Sequence, residues 1–188
     1  MYNPLTHPLI YNLRFLVAGS QQRTKDFISR TYKKYKCRSV IDIGCGTGDF
    51  CLLFKSDEYT GMDYNPRYIQ YAQHRYPYSF ITADVTTYPF SSHYDAALFI
   101  STLHHLSDTE VTSVFSKLTK IINKVIIIVD LNPDTSSLKL LLIKLDRGNH
   151  VRNDAEKSKL LEPFGKAVQR EHFSTGLASQ TGIVLAVK

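Results

Sequence analysis

The segment VIDIGCGTGDF at residues 40–50 has the residue types and spacing that point most directly to ligand chemistry. An apolar run that contains one acid, Asp42, leads into three alternating glycines, Gly44, Gly46 and Gly48. Missing side chains in such a turn let the backbone approach a ligand closely, and that ligand is most often nucleotide-like. The segment therefore predicts a buried strand that ends in a nucleotide-binding turn.

Two further acids follow the next two predicted strands. Asp63 ends a strand over residues 59–63, where a carboxylate can accept hydrogen bonds from both ribose hydroxyls. Asp84 follows a strand over residues 79–83, where an acid can accept a hydrogen bond from an adenine amino group. The carboxyl ends of neighbouring parallel strands open onto one crevice, so both acids and the glycine turn would surround one adenosine. Each acid alone is weak evidence, because Asp also ends strands for turn-forming reasons.

Two common adenosine ligands fit a glycine turn after a first strand, namely a dinucleotide such as NAD and S-adenosylmethionine. The dinucleotide fingerprint is G-x-G-x-x-G, whose third glycine packs the helix against the strand. Here the glycines alternate as G-x-G-x-G, and no second phosphate-binding feature follows. The spacing therefore argues against NAD.

The elements that must position these residues alternate between strands and helices. Period-2 and apolar segments predict strands over 39–43, 59–63, 79–83, 96–100, 124–131, 167–173 and 182–187. Helical periodicity and capping residues predict helices over 21–36, 49–55, 66–76, 107–122, 137–145 and 154–164. This order predicts a Rossmann-like, doubly wound α/β fold: a mostly parallel seven-stranded sheet with an antiparallel C-terminal hairpin and helices on both faces.

The sequence resembles class I S-adenosylmethionine-dependent methyltransferases, in the large group that acts mostly on small molecules. The matching segments are VIDIGCGTGDF, YTGMDYNPRYIQYA, ITADV and YDAALFISTLHHL, within about residues 36–131. The resemblance implies S-adenosyl-L-methionine as the cofactor and S-adenosyl-L-homocysteine as the product. It also implies the cofactor-binding residues Asp42, Gly44, Gly46, Gly48, Asp63, Tyr64, Asp84, Val85 and Ile100.

The roles that the resemblance implies follow the strand ends. Gly44 and Gly46 would face the methionine part and the ribose, and Gly48 would start a helix. Tyr64 would lie beside the adenine, Asp84 and Val85 would hold its edge, and Ile100 would pass under the sulfonium. Only TTYPFSSH separates the third and fourth strands, so the helix usual there must be short or absent.

Polar residues after the fourth and fifth strands are the candidates for catalysis. Methyl transfer from a sulfonium needs alignment, desolvation and, for a hydroxyl acceptor, a base. A histidine at one strand end, His104 or His105, can meet Asp130 at the next, which would fix the imidazole tautomer. Several O-methyltransferases that the sequence resembles use such a pair. We expect His104 in the cleft because Leu103 and Leu106 need core positions; the alternative is that a histidine packs on the sheet or caps a helix.

A second candidate group would contact the methyl acceptor. The segment KLDRGNHVRND at residues 144–154 carries Arg147, His150 and Arg152, which suit an anionic or polyhydroxylated small molecule. An exposed loop with solvated charges is the alternative. The apolar N-terminus would fold over the cofactor with Tyr11 lining the pocket, or pack as plain core. We thus predict one domain over 1–188, with a helical lid (1–36), a cofactor-binding core (37–131) and an acceptor region with the hairpin (132–188).

Composition leaves two other classes of function open. The net charge of +6 and the basic stretch at residues 29–38 suit an anionic partner, or a solvated helix face. An RNA or protein methyltransferase is one alternative, but ISTLHH stands where enzymes that methylate base amines carry an Asn/Asp-Pro-Pro-aromatic turn. A non-catalytic cofactor-binding assembly or regulatory protein on the same fold is the other.

The remaining expectations concern setting and assembly. The three cysteines have neither metal-ligand spacing nor the number for a disulfide scaffold, so we expect no metal site and a cytoplasmic protein. The N-terminus does not resemble a signal peptide, and the longest apolar run, residues 125–129, is too short to cross a membrane. We expect a monomer or homodimer.

Overall fold

The computed structural model describes residues 21–133, 149–174 and 179–187 of the 188-residue chain. Seven strands form one sheet in the order β3-β2-β1-β4-β5-β7-β6. The strands are β1 (Val40–Ile43), β2 (Tyr59–Asp63), β3 (Ser79–Thr82), β4 (Tyr94–Ile100), β5 (Ile122–Leu131), β6 (Lys166–Ser174) and β7 (Ser179–Ala186). Strands β1 to β5 are parallel, whereas β7 is antiparallel to both β5 and β6. The predicted fold class and its C-terminal hairpin are confirmed.

Two of the four described helices connect parallel strands, and three of the four begin at a residue whose side chain caps the helix. The four helices are α1 (Gln22–Lys34), α2 (Pro66–Arg75), α3 (Asp108–Leu118) and α4 (Asp154–Leu161), with single 3₁₀ turns at Cys51–Leu53, Leu103–His105 and Glu162–Phe164. The Asn65 side chain caps α2 by accepting from the N–H of Arg67 at 3.0 Å. Ser107 and Glu110 form the predicted capping box of α3.

The two faces of the sheet carry separate apolar cores. On one face, Phe27 and Ile28 of α1 and Ile69 of α2 pack on strand residues such as Leu98 and Ile127. On the other face, residues of α3 and α4 pack on the alternate strand positions, including Val111, Phe115, Leu161, Phe99 and Ile128. Strand β5 is buried throughout its Val125–Leu131 part, as expected for a parallel strand covered on both faces.

Two connections are shorter than in a regular doubly wound fold. The helix predicted over 49–55 is wrong: only the 3₁₀ turn Cys51–Leu53 forms there. The expectation of little or no helix between β3 and β4 is confirmed, because residues 83–93 contain only turns and bends. Tyr88 and Phe90 anchor this connection on the core, with ring centroids 5.0 Å apart.

Residues 1–20 of the predicted N-terminal lid (1–36) and the helix predicted over 137–145 lie outside the described residues. Among the helices of the described ranges, none combines the length and the apolar content that crossing a bilayer requires.

Candidate cofactor-binding and catalytic site

The three alternating glycines form a turn at the carboxyl end of β1 that only glycine tolerates well. Gly44, Gly46 and Gly48 have φ values of +74°, +56° and +81°. A Cβ on Gly44 would lie 2.4 Å from Oγ1 of Thr102, and one on Gly48 would lie 2.9 Å from the Phe80 ring. The missing side chains therefore let the Thr102 side chain and the Phe80 ring pack directly against the backbone of the turn.

Asp63 at the end of β2 joins this turn to the next strand. Its Oδ2 accepts a hydrogen bond from the N–H of Gly46 at 2.9 Å, and its Oδ1 accepts one from the N–H of Asn65 at 2.8 Å. The N–H groups of Gly44 and Cys45 both donate to the Met62 carbonyl. The carboxylate that the sequence predicts for the ribose thus lies directly against the glycine turn.

Asp42 has a different environment from Asp63 and Asp84, the other acids predicted to bind the cofactor. It is buried, and its Oδ2 accepts a hydrogen bond from the Tyr59 hydroxyl at 2.7 Å. Burial raises the pKa of the Asp42 carboxyl to about 7, although the Tyr59 bond opposes that shift. This placement makes Asp42 a support of β1 and β2, and its contact with the cofactor stays a prediction.

The residues predicted for the adenine lie at the ends of β2 and β3. Tyr64 is 73% exposed, which is unusual for an aromatic side chain and leaves its ring face available for stacking. Asp84 is exposed, and its Oδ1 accepts from the N–H and the hydroxyl of Thr86 at 2.8 and 2.7 Å. Val85 packs against the core, so Asp84 both forms a turn and faces solvent beside it.

The end of β4 lies between the glycine turn and β5. Ile100 is half-buried and packs on the core. Ser101 has a φ of +51°, uncommon for a residue with a side chain, and its N–H donates to the Val129 carbonyl at 2.8 Å. Thr102 then packs against Gly44. The chain thus bends sharply where the resemblance predicts the methyl group.

The predicted histidine–aspartate contact forms between the ends of β4 and β5. Nδ1 of His104 lies 2.5 Å from Oδ1 of Asp130, and both side chains are buried. The His104 ring is 0% exposed, whereas His105 is exposed with its ring centroid 4.3 Å from that of His104. This arrangement corrects the expectation about exposure, because the solvent-accessible imidazole belongs to His105.

Arg152 is buried, with 7% of its surface exposed, and its guanidinium is used by protein groups. It donates to the carbonyls of Leu103 and Leu106, at 3.2 and 2.7 Å, and to Asp108 at 2.8 Å. Arg152 therefore fixes the turn that carries both histidines, in place of the predicted contact with the methyl acceptor. The charge pattern of the sequence does not distinguish these roles.

The other residues predicted for the methyl acceptor are only partly described. His150 is exposed, and its N–H donates to the His104 carbonyl at 3.0 Å. Tyr11 and Arg147 lie outside the described residues.

Two buried polar residues near the end of β5 were not predicted from the sequence. Lys157 of α4 donates to the Leu131 carbonyl and to Oδ1 of Asn132, both at 2.7 Å, and burial lowers its pKa. Gln180 of β7 lies beside Ser101. A lysine in a polar helix and a glutamine next to a turn have no periodicity or motif that would predict burial.

Comparison with known proteins agrees with this geometry. Residues 40–124 match the model of a methyltransferase domain. Magnesium protoporphyrin IX methyltransferase (ChlM) from Synechocystis PCC 6803, solved with bound SAH, superposes with a TM-score of 0.70 at 19% identity over 89% of this chain and 84% of that one. N-methyltransferase NodS from Bradyrhizobium japonicum WM9 gives 0.69 at 15% identity, covering 89% and 95%.

A third similar structure is the mitomycin 7-O-methyltransferase MmcR, with a TM-score of 0.71 at 17% identity over 97% of this chain and 59% of that one. At these identities the likeness shows a shared fold. Curated protein sequences give no significant match to the chain.

The domain match and the fold account together for the glycine turn, the acid at the end of β2 and the strand order. Neighbouring structures with this fold contain bound S-adenosylmethionine or S-adenosylhomocysteine, the cofactor and its product. The cradle of positive-φ glycines with a carboxylate beside it fits the adenosine of that cofactor. These observations support the expectation of a class I S-adenosylmethionine-dependent methyltransferase, with residues 40–124 as the matched methyltransferase domain.

Proposed function

We propose that this enzyme transfers the methyl group to a hydroxyl oxygen of a small molecule, with a histidine as the general base. The observation that carries the proposal is the contact of 2.5 Å between Nδ1 of His104 and Oδ1 of Asp130, next to the bend at Ser101. The Asp130 carboxylate fixes the tautomer and orientation of His104, whose ring packs behind that of the exposed His105. A hydroxyl acceptor needs a general base because the proton must leave as the oxygen is methylated.

The cofactor, when bound, supplies an electrophilic methyl group on a positively charged sulfur. The protein supplies the rest. Asp63 and the glycine turn bind and orient the adenosine, and the exposed Tyr64 ring stacks beside the adenine. The bend at Ser101 and Thr102 limits the space between the cofactor and the acceptor. Most of the rate enhancement then comes from alignment and exclusion of water.

The two histidines have different roles in the proposed reaction. His105 is exposed, so its imidazole can contact an acceptor and take the hydroxyl proton. His104 is held by Asp130 and lies with its ring 4.3 Å from that of His105, so it orders the turn from behind. Arg152 fixes the same turn through the carbonyls of Leu103 and Leu106.

Printed names of similar structures support a small-molecule acceptor. Magnesium protoporphyrin IX and mitomycin are the acceptors named for two of them, and the mitomycin enzyme is named a 7-O-methyltransferase. The named N-methyltransferase shows that the fold alone does not choose the atom. Binding of an anionic acceptor would depend on His150 and Arg147, because the Arg152 guanidinium donates to backbone carbonyls. A cytoplasmic location and a monomer or homodimer stay predictions from the sequence.

The test is a methyl-transfer screen with S-adenosylmethionine labelled in its methyl group. A panel of phenols, catechols and hydroxylated carboxylates is incubated with the wild type and with His105→Ala, and extracted products are counted. We expect label on at least one hydroxyl compound with the wild type and a loss of roughly 10²–10⁴ in rate with the variant. Label that appears only on RNA or protein, or on no acceptor while S-adenosylhomocysteine binds normally, overturns the proposal.

A further inference from the structure

Gln180 is a buried polar residue that the described hydrogen bonds leave incomplete. It is the second residue of β7 and pairs in register with Leu131 of β5 and Phe173 of β6. Because β7 runs antiparallel to β5, its first residues lie at the carboxyl end of β5, the edge that carries the site. The residue is 8% exposed, so its amide is removed from solvent.

The carboxamide reaches the end of β4. Its Nε2 donates to Oγ of Ser101 at 3.4 Å, whereas its Oε1 is buried and has no hydrogen-bond partner among the residues that the structure describes. Exchanging the oxygen and nitrogen of the amide leaves one atom unpaired as well. Buried amide atoms without a partner are rare in native proteins, and each one calls for a ligand, a water or a functional reason.

The position of this amide distinguishes the two halves of the site. The glycine turn follows β1, and the acids for the adenosine follow β2 and β3. Gln180 is on β7, which is separated from β4 by β5, so it lies on the opposite side of the β4 end from the adenosine. Its hydrogen-bond partner Ser101 has a φ of +51°, a strained conformation of the kind that clusters at functional sites.

We propose that the Gln180 carboxamide is a specificity-determining group that binds an O–H or N–H donor of the methyl acceptor through Oε1. The proposal rests on the proposed function, because it assumes that a polar small molecule occupies this side of the cleft. Nε2 keeps its contact with Ser101, which holds the amide beside the end of β4. A molecule that lacks such a donor leaves this oxygen unpaired and binds less tightly.

Stability without ligands is the first test. Gln180→Met has a similar shape and removes both polar atoms, and Gln169→Met in the edge strand β6 is the matched control. We expect the thermal midpoint of Gln180→Met to be unchanged or raised by up to about 4 °C, because an unpaired buried oxygen disappears. A fall of more than about 4 °C relative to the control overturns the proposal, since it would show that the amide serves the fold.

Binding of matched probes to the protein saturated with S-adenosylhomocysteine is the second test. Phenol, catechol and indole each carry a donor, and anisole, 1,2-dimethoxybenzene and 1-methylindole are their methylated counterparts without one. Titrations are followed by ¹H–¹⁵N spectra, in which the Gln180 amide signals are those lost in Gln180→Met. We expect at least one donor compound to bind about tenfold more weakly to Gln180→Met, while its counterpart binds both proteins equally.

Each result also separates this proposal from the proposed function. If no donor compound binds more tightly to the wild type than to Gln180→Met, the role of Gln180 is wrong, whatever the methyl-transfer screen gives. If the donor preference depends on Gln180 but no hydroxyl compound is methylated, the recognition site stands and the proposed O-methylation fails.

Discussion

The Asp63 carboxylate is hydrogen-bonded to the backbone of Gly46, with Oδ2 2.9 Å from the nitrogen. The same carboxylate accepts from the N–H of Asn65, so one side chain links the glycine turn, β2 and the cap of α2. An acid that binds ribose hydroxyls from this position is already oriented before the cofactor arrives. Removing it must therefore affect both the cofactor and the turn.

Asp63→Ala is expected to weaken S-adenosylhomocysteine binding by on the order of 1.5–3 kcal/mol, because hydrogen bonds to a charged acceptor are lost. The free energy of unfolding should also fall, by about 1–2 kcal/mol, since the N–H of Gly46 loses its buried partner. Calorimetry and urea unfolding measure the two effects. Asp63→Asn is the control that keeps the shape and one acceptor. Wild-type affinity in Asp63→Ala would show that the ribose lies elsewhere.

Gly44→Ala combines a backbone and a steric effect, which a second substitution can separate. The added Cβ meets Thr102, and the φ of +74° is strained for alanine. We expect the free energy of unfolding to fall by roughly 2–4 kcal/mol. Adding Thr102→Ala removes the nearest atoms and should restore about half of the loss, leaving the backbone strain. If the single variant and the double variant with Thr102→Ala have equal stability, the contact between Thr102 and the added Cβ does not cause the loss.

Most of the fold could be predicted from the sequence because local patterns and the global sheet agree. The strand over residues 59–63 ends at Asp63 as predicted, and the Ser107–Glu110 capping box starts α3. The helix expected over 49–55 fails for a reason that periodicity does not show. Phe50, Cys51 and Phe54 are all buried, and β2 begins at Tyr59, so one 3₁₀ turn suffices to bury these side chains.

The site was predictable where it follows strand ends and unpredictable where it depends on burial. The contact between His104 and Asp130 follows from the adjacency of β4 and β5. Which histidine is exposed depends on how the turn after β4 folds, and Arg152 decides that from a distant segment. An arginine in a charged loop has the same sequence pattern whether it is solvated or bound to carbonyls.

Asp42 should make stability depend on pH. Its folded-state pKa of about 7 lies above the ordinary aspartate value of 3.8, so the folded protein holds a proton that the unfolded chain releases. Stability from this group is therefore full below about pH 4, falls as pH rises towards 7 and is lost above it. Asp42→Asn keeps an acceptor for Tyr59 without the charge and should remove this slope.

Urea unfolding at pH 5, 6, 7 and 8 measures that slope. The free energy of unfolding of Asp42→Asn should exceed that of the wild type, by a difference that grows with pH and reaches at most about 4 kcal/mol at pH 8. Asp84→Asn, at an exposed carboxyl, is the control and should show no such trend. A pH-independent difference between Asp42→Asn and the wild type would contradict the shifted pKa.

Arg152→Met tests the turn that carries the histidines. The substitution leaves the carbonyls of Leu103 and Leu106 without their donors. The free energy of unfolding should therefore fall by about 2–4 kcal/mol. Affinity for S-adenosylhomocysteine should change little, because the glycine turn is held by Asp63 and Met62. Thermal unfolding and calorimetry on one preparation compare the two. Loss of cofactor binding with unchanged stability would restore a ligand-binding role to Arg152.

The two histidines should respond differently to substitution. His105→Ala should lower turnover by roughly 10²–10⁴ and leave stability and S-adenosylhomocysteine affinity almost unchanged, because an exposed imidazole contributes little to the fold. His104→Ala should lower stability by about 3 kcal/mol or more, because it leaves the Asp130 carboxylate buried without its partner. Asp130→Asn should give a smaller loss of turnover than His105→Ala, since it frees the tautomer of His104 behind the base and leaves the base itself in place.

Turnover of the hydroxyl compound with the highest rate in the screen is measured against pH for all three variants and the wild type. Wild-type activity should rise with pH as the imidazole loses its proton, and this rise should disappear in His105→Ala. Rates are corrected for the folded fraction, so that the instability of His104→Ala is not read as catalysis. If only His104→Ala lowers the corrected rate and removes the rise, the buried imidazole is the base. If neither does, methyl transfer here relies on the alignment that the glycine turn and the bend at Ser101 provide.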